Sequence, residues 1–250
     1  MSLEALLDRP LAPPDPETLA AATAGEADPE GLLGLGEMDR LLDARPLAVE
    51  TGWWRLPDGT QQVAVRTPMP GVTAEMIEWW FDWHAREPIR YRIWHPAAHE
   101  SNAMDVPATP GAKAHWGAVH HPVEDVGTGM ERIRIAFVRP TAFGFSRDEI
   151  DGTIVCGFIG DERRRAWHSL MAHVWLRDGD GLVLRSRFWL GARLRPMLPA
   201  PLSAPLGRVM NRRFVRRQVM PDGLAPALAR HCCEEYANLA AFLPELYQGV

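Results

Sequence analysis

Hydrophobic and polar positions change period three times along the chain. Thr51–Leu56 and Gln61–Thr67 read as strands, joined at Pro57-Asp58-Gly59, where proline pre-sets φ and glycine supplies turn freedom. Thr73 is placed as the N-cap of a helix to about Ala85. Met76, Ile77, Trp79, Trp80, Phe81 and Trp83 make that helix apolar around most of its surface, which predicts burial. The period then shortens to two. Ala114–Val126, Glu131–Val138, Thr153–Ile159, Trp167–Arg177 and Leu182–Leu190 are the expected strands; in the second, Ile133, Ile135 and Phe137 alternate with polar neighbours. Asp178-Gly179-Asp180-Gly181 between the last two is a strong hairpin signal. After the proline-rich break at Pro196–Pro205 the helical period returns, over about Leu206–Val219. Pro221-Asp222-Gly223 precedes a final helix, about Leu224–Leu243. The expected class is α+β: a curved antiparallel sheet gripping a long C-terminal helix.

Residues 1–45 lack either period and are rich in Ala, Pro, Gly and acids. They read as a loosely ordered arm with one short helix near Gly36–Asp43. The division expected is a partly disordered N-terminal arm over 1–50 and one domain over 51–250. No internal repeat and no glycine-rich phosphate loop is visible.

Composition narrows the function classes. An apolar fraction of 46% and a charged fraction of 24% are those of an ordinary globular protein. Ten tryptophans point to a broad aromatic core or a large apolar cavity, and composition does not choose. The net charge of −5 argues against nucleic acid as a partner, since such binding neutralises phosphates. The densest basic stretch, Arg208 to Arg217, reads as a solvated helix face. Three cysteines (Cys156, Cys232, Cys233) give no disulfide framework and fit a reducing cytoplasm. Acids occupy the N-terminus where a signal peptide needs a basic flank, and no stretch approaches ~20 apolar residues. A cytoplasmic protein without a membrane partner is expected.

The candidate chemistry gathers in three places. On the last helix, His231 and Glu235 are four residues apart, so both side chains reach one point above the same face. The spacing equally describes a solvated ion pair, and Glu234 is the competing carboxylate. The apolar run Leu239-Ala240-Ala241-Phe242-Leu243 on that helix argues for burial, and buried charge needs a partner such as a divalent cation. Upstream, Tyr91 to Asn102 holds His95 and His99, but Pro96 disfavours a continuous helix, so a turn lined with Tyr, His and Asn is expected. His95 reads as a packed histidine. Third, Glu124 and Asp125 lie at a strand end and must face opposite ways, so one points inward. His120 and His121 also point apart, and both are set aside as ligands. His173, in a strand, reads either as a core histidine or as a group polarising a substrate oxygen. A Gly-x-Ser-x-Gly elbow and a His-Glu-x-x-His helix are absent, and Cys232-Cys233 lacks metal-binding spacing and reads as core filler.

Several ordered phrases carry a family resemblance. Trp79-Trp80-Phe81-Asp82-Trp83-His84, Arg90-Tyr91-Arg92-Ile93-Trp94-His95-Pro96-x-x-His99, Val123-Glu124-Asp125-Val126-Gly127, Arg185-Ser186-Arg187-Phe188-Trp189-Leu190-Gly191 and His231-x-x-Glu234-Glu235-x-x-Asn238-Leu239-Ala240-x-Phe242-Leu243-Pro244 resemble the 2,4-diacetylphloroglucinol hydrolase family, which includes phloretin hydrolase. The resemblance covers roughly residues 50–247. It implies a helix-grip fold like the pollen-allergen and START-like lipid-transfer domains, with an N-terminal portion used for homodimerisation. It also implies Zn2+ held by His99, Glu124, His231 and Glu235, with Tyr91, Asn102 and His173 contacting substrate. Phe188 stands where the diacetylphloroglucinol enzyme carries a substrate-contacting tyrosine, a departure that points away from an identical substrate.

The reaction so implied is cleavage of the carbon–carbon bond between an acyl group and a polyhydroxylated phenolic ring. Zinc would lower the pKa of water to about 7, and the resulting hydroxide would attack the acyl carbonyl. The ring would depart as an enolate after a proton reaches the acyl-bearing carbon, with His173 assisting. Two other readings stay open at this stage: a helix-grip protein that binds aromatic polyketides without cleaving them, and an esterase on the same metal site.

Overall fold

The computed structural model describes residues 3–106 and 113–249. Two short helices, α1 (Leu3–Leu7) and α2 (Pro16–Thr23), begin the chain, followed by 3-10 turns at Pro29–Gly31 and Leu35–Leu42. The arm expected to be loosely ordered is thus structured over its described residues. Its prolines and acids act as helix starters: Pro16 and Pro29 follow the capping residues Asp15 and Asp28, whose carboxylates accept from Thr18 N and Glu30 N. Leu6, Ala22, Leu33, Met38 and Leu41 are buried.

Next come the hairpin β1 (Gly52–Arg55) and β2 (Gln61–Met69), then α3 (Ala74–Trp83), whose cap Thr73 accepts from Met76 N. Helix α4 (Pro88–Arg92) leads through a turn to β3 (His99–Ser101) and β4 (Met104–Val106). The single strand expected over Ala114–Val126 is two short ones, β5 (Val119–His120) and β6 (Val123–Asp125), with Pro122 between them. Proline has no N–H to give a ladder. After β7 (Met130–Val138) and α5 (Pro140–Phe143) come the long strands β8 (Gly152–Asp161), β9 (Ala166–Asp178) and β10 (Gly181–Leu190), then the short β11 (Arg195–Pro196). The helix expected over Leu206–Val219 is two, α6 (Ala200–Met210) and α7 (Arg213–Val219). They part at Asn211, whose amide is drawn away to Leu194 N and O. The final helix, α8 (Leu224–Gln248), runs five residues past the expected end, through Pro244.

The strands form one curved antiparallel sheet in the order β1-β2-β10-β9-β8-β7-β5-β4, with β6 on β7 and β3 on β6. Helices α8 and α3 lie against its concave side, the helix-grip arrangement. Alternation divides the long strands between two cores. Val155, Met171, Trp175, Leu184 and Phe188 join the helices, while Ile154, Cys156, Leu170, Ala172, Val174 and Trp189 meet Leu33, Met38 and Leu41 of the N-terminal segment. Both faces of β10 are therefore covered, and all its residues are buried. Among the described residues no helix is long and apolar enough to cross a membrane.

Candidate metal centre and its chamber

Three elements bring the candidate ligands together. His231 and Glu235 project one turn apart from α8, and their side chains are almost wholly buried. His99 opens β3, just after the turn that Pro96 enforces, and Glu124 is paired directly with it across β6. Strand parity settles the choice between the adjacent acids. Glu124 turns inward, while Asp125 accepts from Gly127 N and Gly129 N at the surface.

His99 Nε2 lies 3.4 Å from His231 Nε2, 3.4 Å from Glu124 Oε2 and 3.7 Å from Glu235 Oε2; His231 Nε2 is also 3.7 Å from Glu235 Oε2. Donor atoms of His99, Glu124 and His231 lie within 4.8 Å of one another, a spacing that suits a shared cation. Second contacts orient the donors. His99 Nδ1–H donates to the Tyr91 carbonyl at 3.2 Å, which leaves the Nε2 lone pair facing the cluster. Tyr91 stacks on His99 with ring centroids 4.2 Å apart, and its hydroxyl donates to Glu124 Oε2. Trp94 Nε1 donates to the Glu235 carbonyl at 3.0 Å. Glu234, the competing carboxylate, is drawn outward to Arg230 at 2.8 Å.

Electrostatics favour a cation at this point. Burial raises Glu124 to about 7 against the Tyr91 hydrogen bond, and raises Glu235 well above the usual carboxylate range with the Glu124 charge adding. Burial also pushes His231 down to about 3 and His99 well below its ordinary value, each helped by neighbouring imidazoles. Two neutral imidazoles and two carboxyls reluctant to ionise make a set that one positive ion would relieve at once.

The cluster opens on a chamber lined by Phe81, Ile133, Ile135, Phe137, Met171, Leu190 and Leu228 among others. His173 and Phe188, both singled out from sequence, line it too. His173 Nδ1 is 2.9 Å from Ser186 Oγ, and burial alone lowers its pKa to about 3. Asn102 lines the chamber but spends its amide on His120 and His121 N. His95 packs 5.1 Å from the His231 ring and 3.4 Å from Glu234. Two chamber histidines are not among the expected substrate contacts: His84, and His120, which the sequence reading weighs with His121 and sets aside as a ligand. Nothing in the sequence separates His120 from His121, because register decides which faces in. His120 opposes Ile135, and His121 turns outward to Glu162 and Asp105.

The family described as DAPG hydrolase PhiG domain matches residues 33–248. A phloretin hydrolase from Eubacterium ramulus is 34% identical over 254 residues, covering 96% of this chain and 87% of its own length. A 2,4-diacetylphloroglucinol hydrolase from Pseudomonas protegens is 30% identical over 223 residues, covering 85% of this chain and 72% of its own. Among solved structures, norcoclaurine synthase from Thalictrum flavum is 8% identical, covering 91% of this chain and 100% of its own at a TM-score of 0.38.

Proposed function

The chain belongs to the DAPG hydrolase PhiG-domain family, and from that premise we propose that it is a zinc-dependent hydrolase cleaving the carbon–carbon bond between an acyl group and a polyhydroxylated phenolic ring. The observation that carries the reading is the convergence of His99, Glu124 and His231, with Glu235 3.7 Å from both imidazoles, beside an aromatic chamber that Glu124, His231 and Glu235 line. Two imidazole nitrogens and two carboxylate oxygens form a donor set that suits zinc, whereas magnesium and calcium take oxygen almost throughout. When bound there, a zinc ion supplies a Lewis acid and lowers the pKa of water toward 7.

The protein's own groups supply the rest. Hydrolysis adds the elements of water across the bond: oxygen to the acyl carbon and a proton to the ring carbon. The products are a carboxylic acid and the deacylated phenol. The ring leaves as a stabilised enolate only when that carbon has been protonated and the ring has become a β-diketone. His173, kept neutral by burial that pushes it down to about 3 and braced by Ser186, would hold and polarise a ring oxygen while the phenolic proton passes to that carbon. Tyr91 orients Glu124 through its hydroxyl, and its ring fixes the plane of His99. The apolar lining keeps bulk water from the enolate. Phe188 offers no hydroxyl, so ring oxygens must find partners on other walls. Three free, buried cysteines support a reducing compartment such as the cytoplasm.

Elemental analysis of the purified protein, alongside cleavage of phloretin and 2,4-diacetylphloroglucinol, tests the proposal. One zinc per chain, lost together with cleavage in His231→Ala, is the expected result. Full cleavage by metal-free protein refutes it.

A further inference from the structure

One wall of the chamber carries a polar relay that the metal cluster does not use. It is built from Asn102 on the β3–β4 connection, His120 on β5 and His84 after α3, all buried and all lining the chamber. Asn102 Oδ1 accepts from the backbone N–H of His121 at 3.2 Å, a hydrogen that is shared with the Ala103 carbonyl at 2.9 Å. A backbone N–H cannot accept, so the amide oxygen must face it and the NH2 must face His120. Nδ1 of His120 is 3.1 Å from that NH2. An amide N–H can only donate, so Nδ1 holds a lone pair and the imidazole proton sits on Nε2.

That Nε2–H is buried and has no hydrogen-bond partner among the described residues. Phe137 packs against the His120 ring with centroids 4.8 Å apart, and the His84 ring lies at 5.5 Å. His84 donates through Nδ1 to the Trp80 carbonyl at 2.6 Å, so its own Nε2 is an acceptor on the same wall. Burial, helped by the neighbouring His84, holds His120 well below its ordinary value, so at neutral pH the ring is uncharged and its tautomer is single. A buried donor without an acceptor is costly unless a ligand completes it.

We propose that His120 Nε2–H, held in this tautomer by Asn102, is the donor that receives a ring oxygen of the phenolic substrate. The inference rests on the proposed function for the chemistry of that ligand. It assigns Asn102 a positioning role through His120, in addition to any contact of its own. A neutral donor suits an oxygen that passes from phenol to ketone to enolate, because the hydrogen bond strengthens as charge develops without ever transferring a full positive charge.

Phloroglucinol, the bare ring, probes the donor independently of cleavage. Calorimetric titration of zinc-loaded protein is expected to show binding that weakens at least tenfold in His120→Leu and less than threefold in His120→Gln, which keeps a side-chain N–H. Zinc content should be unchanged in both. For phloretin, kcat should fall at least tenfold in the Leu variant, with partial rescue by Gln. Nitrogen NMR should report the Nε2–H tautomer of His120 in the wild type and the Nδ1–H tautomer in Asn102→Asp, where an acceptor replaces the amide donor. Binding without cleavage in the wild type would refute the proposed function and leave the His120 assignment standing if the Leu variant still loses affinity. Five results overturn the assignment: no phloroglucinol binding to the wild type, wild-type affinity in His120→Leu, equal losses in both variants, loss of zinc in either variant, and an Nδ1–H tautomer in the wild type.

Discussion

Tyr91 shows how one side chain serves two neighbours. Its ring lies flat on His99 while its hydroxyl holds Glu124, so the pair of strands that carries both candidate ligands is clamped from one residue of α4. Tyr91→Phe should keep the stack and lose the hydroxyl. Orienting partners of metal ligands are worth roughly 10- to 100-fold in affinity, so competition with a chelator should show zinc held weaker by about that factor. Unchanged affinity would leave the hydroxyl to the substrate alone. The buried histidines outside the cluster make a second residue-scale prediction. Burial depresses His84 and His115 to about 4 and His173 to about 3, against an ordinary 6.5. Above pH 6.5 these rings are neutral in folded and unfolded chains alike. Below it the unfolded chain takes protons first, so folding stability falls as pH drops toward 4, by up to about 1.4 kcal/mol per pH unit for each ring. Urea midpoints at pH 7 and pH 5 measure this, and equal midpoints would mean the rings are reached by water. Sequence spacing made His231 and Glu235 legible, since helix geometry alone aligns residues four apart. It offered no such rule for Glu124 against Asp125, or for His120 against His121, where strand register decides.

At the scale of elements, α8 is the post on which the site hangs. Asn238, one turn beyond Glu235, donates to the carbonyls of Ile93 and Trp94 at 3.3 and 2.9 Å and accepts from Ala12 N at 3.1 Å. The helix, the turn before His99 and the N-terminal segment are thereby joined at one amide. Asn238→Ala leaves two buried carbonyls without that donor, at a cost of about 1–3 kcal/mol of stability by denaturant titration. His99 is then less firmly placed, so zinc affinity should fall with it. The same helix continues through Pro244 where the residue pattern predicts a stop near Leu243. A proline in a helix interior costs about 3 kcal/mol. Leu243 and Leu246, both buried, return roughly 1.5–3 kcal/mol each, enough to carry the helix on. The break between α6 and α7 falls at Asn211, whose side chain bonds the Leu194 backbone and the Gly207 carbonyl at the end of α6.

Across the whole molecule residues 28–50 work as a strap over the outer face of the sheet, while α1 and α2 join the core on the α8 side. Arg185 of β10 donates to Glu50 at 2.7 and 3.1 Å, to the Arg45 carbonyl at 2.9 Å and to the Asp43 carbonyl. Trp53, Trp54, Arg187 and Trp189 donate to carbonyls of Ala24, Asp28, Gly31 and Leu33. Glu50→Ala would leave a buried guanidinium with carbonyl partners only, and a loss of about 2 kcal/mol is expected by thermal or urea unfolding. Deleting residues 1–50 would uncover Leu170, Ala172, Val174 and Trp189 together, and should give an aggregating protein rather than a stable smaller domain. Recovery of a monodisperse, zinc-binding 51–250 fragment would show that the strap is dispensable.

Local periodicity by itself determined β1, β2, β7, β8, β9 and β10, the hairpins at Pro57-Asp58-Gly59 and Asp178-Gly179-Asp180-Gly181, the buried α3 and the existence of α8, but not β3, β4 or the division into β5 and β6. Those signals are local because side-chain period and turn chemistry depend on a few neighbouring residues. Family phrases added which side chains to watch. Tertiary structure alone placed the apolar residues of the proline-rich start, Leu6 and Ala22 in the core shared with α8 and Leu33, Met38 and Leu41 against an outer sheet face assembled more than a hundred residues later. It also decided that His99 meets His231 across 132 positions, that Glu124 and not Asp125 looks inward, and that His120 enters the chamber. A contact between distant segments depends on strand register and helix placement, and these are set by the free energy of the whole core rather than by any stretch of chain short enough to carry a pattern.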